Sequence, residues 1–376
     1  MFYYIFKIYS FLIHIIISIK NYFNKYVEIC GIKYDINTIE LFLHSKKIKN
    51  IPKNFTYLTK IRFLNLSYND IAKLPNNFSN LICLERLYLG GNKFQEIPDI
   101  LYNMVWLKSF GFNSSKLKKI SEKFCNFINL ECLYLNDNEL EEISSNFYSL
   151  TKLRVLDLHG NKITKISDNL YNLINLYDLN LNNNNMKEVP NNLNCFINLK
   201  ILCLMNNQIK KIPHNLFTLV KLRILSLTNN KLTDISGPWI NLLSLEELYL
   251  NDNYITHIPI SFGNLSSLQI LYLENNQITH IPNSFGNLNR LKLLNICNNQ
   301  LIHIPITFIN LRHLTRFIYT DNPIENIQPI ILRFLDRMSN RGNNIYDIYK
   351  DGQNVHTSSI QKSIKESIVK ILSSKL

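Results

Sequence analysis

Apolar and polar positions recur along this chain at a fixed interval of 23 residues. The repeating unit reads LxxLxLxxNxL. Its Asn position falls at Asn69, Asn92, Asn138, Asn161, Asn184, Asn207, Asn230, Asn253, Asn276, Asn299 and Asn322, with Lys46 and Ser115 in the two remaining slots. Thirteen units follow one another without insertion, a regularity that predicts a solenoid of stacked supersecondary units. The residues five and three before the Asn, such as Leu156 and Leu158, alternate with polar neighbours. That is the pattern of a short strand with one buried face. Apolar residues also stand eight before the Asn (Leu153, Leu268) and two, five, nine and twelve after it (Ile278, Ile281, Phe285, Leu288). Each turn thus adds a layer to one continuous core, which no single unit could bury alone.

The recurrent Asn sits where the strand ends and backbone groups lose their ladder partners. Carrying both a donor and an acceptor, it is predicted to turn inward and satisfy them in its own and adjacent turns. Six residues further on stand Pro52, Pro75, Pro98, Pro190, Pro213, Pro259, Pro282 and Pro305, with Ser121, Ser144, Ser167 and Ser236 in that slot elsewhere. Proline lacks a donor and stops strand pairing from spreading to the outer side.

These residues resemble the 23-residue intracellular leucine-rich-repeat class found in Ras-suppressor and Ras-scaffold proteins, over positions 37 to about 330. The resemblance implies an α/β solenoid: a leucine-rich-repeat horseshoe with a concave parallel sheet and an irregular or short-helical convex side. It says little about function, because such folds serve many unrelated partners.

Three segments are expected. Residues 1–36 form an apolar N-terminal extension or cap, 37–338 the solenoid, and 339–376 a polar linker followed by an amphipathic helix. Residues 1–19 read either as a signal anchor or as an extension covering the first unit, since Lys7 and His14 interrupt an apolar run at the short limit for a span. Near the other end, Ile324, Ile327, Ile330, Ile331, Phe334 and Leu335 continue the apolar pattern, and Pro329 is placed to begin a capping helix. Ser358 with Gln361 makes a capping-box start to a last helix, on which Ile360, Ile364, Ile368 and Ile371 share a face and Lys362, Lys365 and Lys370 lie off it. That tail is weakly similar to the tails of repeat proteins of giant DNA viruses of amoebae.

Hydrophobic residues make up 46% and charged residues 18%, which excludes disorder of the bulk. Seven cysteines, an odd number, form no Cys-x-x-Cys and no cluster at either end of the repeats. Their pattern favours a reducing, cytoplasmic compartment. The net charge of +13 makes no one-sided groove. On and beside the strands, Arg62, Arg86, Lys108, Arg154, Lys200, Arg223 and Lys292 are answered by Glu85, Glu131, Asp137, Asp157, Asp178, Glu246, Glu247 and Glu274. Nucleic acid is therefore a poor partner.

The column four before the Asn faces outward from the sheet. It holds Tyr88 and Tyr134 around the irregular Ser115 unit, and Tyr249 and Tyr272 on adjacent strands beside Glu247, Asn251 and Glu274. Tyrosine offers contact area at low entropic cost. The Tyr249–Tyr272 patch is therefore the first candidate contact site, both rings being expected to face out from the core, and Tyr88–Tyr134 the second. Four after the Asn, Lys73, Glu96, Lys119, Glu142, Lys165, Glu188, Lys211 and Asp234 alternate in sign, a row read as structural. His257, His280 and His303 continue that column. Three successive imidazoles are a conceivable zinc set, but duplication of a solvated His accounts for them, and no metal is assigned. No phosphate loop and no His-Glu-x-x-His occurs, and no catalytic residue, cofactor or small-molecule substrate is expected. The reading is a non-catalytic interaction scaffold that holds a partner protein on the concave sheet, possible contexts being signalling or host interaction. The alternative is a membrane-anchored receptor-like protein using residues 1–19.

Overall fold

The computed structural model describes residues 25–339, apart from 144, 167–169, 171 and 192. The apolar segment 1–19, the stretch 358–371 where a last helix is expected, and Ser144 and Ser167 lie outside the described residues. The chain forms two compact units, one ending at Leu176 and the other beginning at Tyr177.

The first unit begins, among its described residues, with an antiparallel hairpin of β1 (Tyr26–Ile29) and β2 (Ile32–Asp35). Cys30 and Gly31 at its turn both have positive φ, 52° and 76°, as a two-residue hairpin turn requires. The hairpin buries Val27 and Ile29. Six parallel strands follow: β3 (Glu40–Phe42), β4 (Phe63–Asn65), β5 (Arg86–Tyr88), β6 (Ser109–Gly111), β7 (Cys132–Tyr134) and β8 (Val155–Asp157). The second unit contributes seven: β9 (Asp178–Asn180), β10 (Ile201–Cys203), β11 (Ile224–Ser226), β12 (Glu247–Tyr249), β13 (Ile270–Tyr272), β14 (Leu293–Asn295) and β15 (Arg316–Ile318). Within each unit neighbours pair one repeat apart, as Leu64 with Leu87 and Leu248 with Leu271. The strand-plus-turn solenoid expected from the repeat is what forms.

Across the core from the strands run short 3-10 segments such as Lys53–Tyr57, Ile260–Asn264 and Asn283–Asn287. The recurrent proline is their N-cap. Pro52, with φ −67°, accepts from the Phe55 N–H at 2.9 Å, so it starts a tight turn as well as ending a ladder. Phe262, Phe285 and Phe308, nine after their Asn residues, stack with centroids 6.2 and 6.3 Å apart and planes within 9°.

The inward Asn residues bond backbone groups of their own turn and, in most units, of the turn before. Asn207 donates from Nδ2 to the carbonyls of Leu181, Leu204 and Met205, and its Oδ1 accepts from the Met186 N–H at 3.0 Å. The residue just before each Asn slot has positive φ in every unit, from Ser45 to Asp321. That explains why Asn, Asp and Gly crowd this column, since they tolerate the left-handed region best. Asn206 is one of them, with φ 54°.

Where the Asn is missing, the backbone changes. Lys47 and Lys116, one after the substituted slots Lys46 and Ser115, both adopt φ 56°, whereas the same position after an Asn does not. A long side chain held left-handed is strained by about 1 kcal/mol. An open cavity of about 760 Å³ lined by residues including Phe94, Ser115 and Leu117 lies beside this defect. Lys116→Gly is expected to raise stability by about 0.5–1 kcal/mol, while Lys93→Gly, one turn earlier on ordinary backbone, lowers it. Thermal denaturation of the two variants checks this. Shifts of the same sign would show that the left-handed turn is not the source of the strain.

A closing helix, α1 (Pro329–Ser339), begins at the proline expected to start it and packs on the 3-10 segment Ile306–Asn310. Ile331, Phe334, Leu335 and Met338 are buried, whereas Ile330 is exposed and Ile324 and Ile327 are half-buried. No helix among the described residues is long and apolar enough to cross a membrane.

Candidate functional site

Side chains two, four and six before each Asn alternate with core leucines and so project from the sheet's outer face. In the first unit they build a ladder of rings. Phe42 and Phe63 lie 4.7 Å apart, Phe63 and Tyr88 5.7 Å, and Tyr88 and Tyr134 6.1 Å. The last step skips a strand, and Gly111 makes it possible, because a Cβ there would stand 2.5 Å from Tyr88 Cδ1. The Arg86 guanidinium lies 4.8 Å over the Phe63 ring and pairs with Glu40 at 3.0 Å. The Tyr88 hydroxyl shares a hydrogen bond with Ser109 Oγ at 2.9 Å. Burial first pushes the Tyr134 phenol far above its ordinary value. Phe42 is 56% exposed, and Phe63, Tyr88 and Tyr134 are half-buried. The rings thus form a continuous apolar strip with one polar edge.

The second unit differs from expectation. Tyr249 and Tyr272 do stack side by side, with centroids 5.4 Å apart and planes at 13°. Yet Tyr249 has no exposed surface, and it belongs to a buried cluster with Tyr177, Ile201, Cys203, Met205 and Ile224. Ile270 and Tyr272 pack against that cluster. The Tyr249 hydroxyl donates to Glu247 Oε2 at 2.8 Å. Asn251 is also buried, accepting from Thr228 Oγ1 at 2.7 Å and donating to Asp252 Oδ2 at 2.6 Å. Glu274 is buried, and desolvation pushes its carboxyl up to about 8. Burial, then the Glu274 carboxylate, raises the Tyr272 phenol. The sequence predicts which residues share this face. It does not show that apolar residues at three columns meet across neighbouring strands and bury one another. The run Ile201, Cys203, Met205 along and just beyond β10 was the available signal, being apolar at three outward positions in succession.

The remaining candidates separate. Rings of His280 and His303 lie 5.5 Å apart, while His257 and His280 each hydrogen-bond the threonine before them. Among the described residues no group of three His, Cys, Asp or Glu is arranged to hold a metal ion. Alternating charges four after the Asn sit on backbone bridges, Glu142 with Lys165 and Lys211 with Asp234. Side-chain ion pairs form in other columns, as Lys93–Asp70 at 2.6 Å, Lys162–Glu139 at 3.0 Å and Arg223–Glu246 at 2.7 Å. Hydrogen bonds from Ser236, more than Lys211, hold the Asp234 carboxyl below its ordinary value. None of the cysteines forms a disulfide.

Comparison with known proteins agrees with this architecture. Family models described as leucine rich repeat match residues 197–255, 221–278, 244–301 and 268–324, with further leucine-rich-repeat models over 128–172, 60–81 and 83–104. A leucine-rich-repeat protein of Leptospira interrogans is 27% identical with a TM-score of 0.68, over 78% of this chain and 80% of that one. An internalin, InlF, of Listeria monocytogenes is 28% identical with a TM-score of 0.70, over 80% and 87%. The Toll–Spatzle complex of Drosophila is similar over 74% of this chain and 39% of that one, at 26% identity and a TM-score of 0.65. No curated protein sequence matches the chain significantly.

Proposed function

Because the chain belongs to the leucine-rich-repeat family, a fold commonly used as a protein-interaction scaffold, we propose that it is a non-catalytic scaffold. It holds a partner protein on the outer face of the sheet, through the ring ladder of the first unit. The observation that carries this reading is the strip Phe42–Phe63–Tyr88–Tyr134, which presents partly exposed rings on three consecutive turns and, across Gly111, a fourth. Isolated exposed apolar residues are ordinary, but a contiguous strip is not. Aromatic rings with an adjacent Arg are the residue types that dominate binding energy at protein interfaces. The solved complex of Toll with Spatzle, a similar solenoid holding another protein, supports the reading. The Tyr249–Tyr272 patch keeps a secondary place, through Tyr272 and the Glu247 carboxylate, because Tyr249 has no area left to offer.

A Phe42→Ala/Tyr88→Ala double variant is expected to keep its fold, since both rings stand outside the core. It should lose about thirty-fold in affinity, roughly 2 kcal/mol, for the partner recovered by pull-down from the native host cell. Asn264→Ala with Asn287→Ala, exposed on the 3-10 side, should change affinity little. Normal binding by the first variant and loss by the second would move the working face to the other side.

A further inference from the structure

Two residues after the Asn slot, the backbone N–H donates to the Oδ1 of the Asn in the next turn. In the first unit Ile48 donates to Asn69, Ile71 to Asn92, Leu117 to Asn138 and Leu140 to Asn161, each at 3.0 Å. Phe94 holds the same place, but the slot one turn on is Ser115. The shorter Ser115 hydroxyl donates instead to the Asn113 carbonyl at 3.0 Å. The Phe94 N–H therefore donates to no acceptor among the described residues. A backbone donor left so in the body of a repeat is costly until something supplies the acceptor.

The surroundings are cationic. The open cavity of about 760 Å³ beside Phe94 and Ser115 is lined by Lys93, Lys116, Lys118 and Lys119, against one carboxylate, Glu96. All four lysines are exposed. Lys93 pairs with Asp70 at 2.6 Å, and Glu139 on the following turn is held by Lys162 at 3.0 Å. Among the described residues no ion pair involves Lys116, Lys118 or Lys119. The four lysines, set against Glu96 and Asp70, leave a surplus of two positive charges. In the column one after the slot, only Lys93 and Lys116 place like charges on successive turns. Such neighbours repel unless an anion lies between them.

We propose that this defect in the repeat is a binding site for a small phosphomonoester. The phosphoryl oxygens accept from the Phe94 N–H, where a regular turn would present the Asn amide oxygen, and lie among Lys93, Lys116 and Lys118. The apolar remainder of the molecule rests on Phe94 and Leu117, which share the cavity wall. A phosphoryl dianion matches the surplus of charge, whereas a carboxylate or a sulfonate supplies half of it. Backbone N–H groups with clustered cations are a donor set that suits phosphate, and the cavity has the size of small-ligand sites. The left-handed backbone of Lys116, with φ 56°, is strain of the kind retained where a ligand is held. This site is independent of the ring ladder.

Calorimetric titration of the full chain with phenyl phosphate, in low salt and above neutral pH where the phosphate is a dianion, should show saturable binding. Benzenesulfonate, the same ring with a single charge, should bind about ten-fold more weakly. Ser115→Asn restores the repeat Asn and leaves every lysine in place. Its Oδ1 takes the Phe94 N–H, so the variant should melt at a higher temperature yet bind phenyl phosphate about ten-fold more weakly. Lys116→Gln/Lys118→Gln should weaken binding as much, while Lys231→Gln, at the same place in a regular turn, should leave it unchanged. In isotope-labelled protein the Phe94 amide resonance should shift during the titration. No saturable binding of phenyl phosphate would overturn the proposal. So would a loss on changing the lysines with none in Ser115→Asn, which would reduce the site to surface attraction. Vesicles containing phosphatidylinositol phosphate present the same group on a lipid. If they bind the native chain and not Ser115→Asn, while phenyl phosphate binds neither, the source is a membrane and the small-molecule site is overturned.

Discussion

Replacing Asn207 by Ala is expected to cost about 3 kcal/mol of stability, the loss falling on backbone groups rather than on the side chain itself. The amide nitrogen serves three carbonyls, those of Leu181, Leu204 and Met205, and the amide oxygen accepts from the Met186 N–H. All four are in the interior between two turns, where no water replaces the lost partner, and a buried unsatisfied group costs roughly 1–3 kcal/mol. The neighbouring Asn206 provides the comparison. From its outward position alone it would be nearly neutral, but its φ of 54° and its hydrogen bonds to Asn183 and from Asn229 change that. Asn206→Ala is therefore expected to cost about 1 kcal/mol through the left-handed backbone. Asn206→Gly, which relieves the same backbone, should cost less than Asn206→Ala. Urea denaturation of the three variants orders them. A loss at Asn207→Ala no larger than at Asn206→Ala would mean that the inward ladder is not what holds the turns together.

The second large effect is a pH dependence centred on Glu274. Its carboxyl titrates near 8 in the fold against 4.5 in a free chain, because burial disfavours the charged form and Asp252 adds repulsion. The titratable groups facing it include Asp252, Tyr272 and Cys297, whose thiol is itself pushed up to about 12, first by burial and then by Glu274. With the folded value raised, the folded state binds the extra proton between the two values. Stability is thus greatest below pH 4.5 as far as this group decides, falls as pH rises from there to about 8, and is level beyond. The displacement corresponds to a loss on the order of a few kcal/mol. Glu274→Gln keeps the shape and removes the titration, so the variant should be close to the native protein at pH 5 and clearly more stable at pH 8.5. A difference in urea midpoint that does not change between those pH values would sink this account.

The failed expectation at Tyr249 and the successful one at Asn207 share a cause. Both rest on assigning a column of the repeat to a face. For Asn207 the face is enough, because its partners are backbone groups that every turn places in the same position. For Tyr249 the face is only half the answer, because exposure depends on which side chains occupy the same column on the strands beside it. Ile201, Cys203, Met205 and Ile224 are separated from Tyr249 by one or two repeats, and their joint apolar character is visible only once the columns are aligned in space. The same reasoning separates the two ring sites. Tyr88 and Tyr134 remain partly exposed on either side of Gly111, whereas Tyr249, with Ser226 on one neighbouring strand and Tyr272 on the other, is buried in a cluster drawn from several strands and columns.

By itself the sequence determined the architecture: the 23-residue register, the strand at each repeat, the inward Asn, the proline that stops the strand ladder in most turns and the helix that starts at Pro329. These follow from local periodicity and from the need to satisfy backbone groups at each turn, and a repeat states that need many times over. Only the tertiary structure decided the left-handed backbone before each Asn, the hairpin at Cys30–Gly31, the strained Lys47 and Lys116, and which outward residues are actually exposed. Backbone strain and side-chain burial arise where turns stack, from contacts between positions 23 or 46 residues apart, and neither distance is visible to a reading that follows the chain in order.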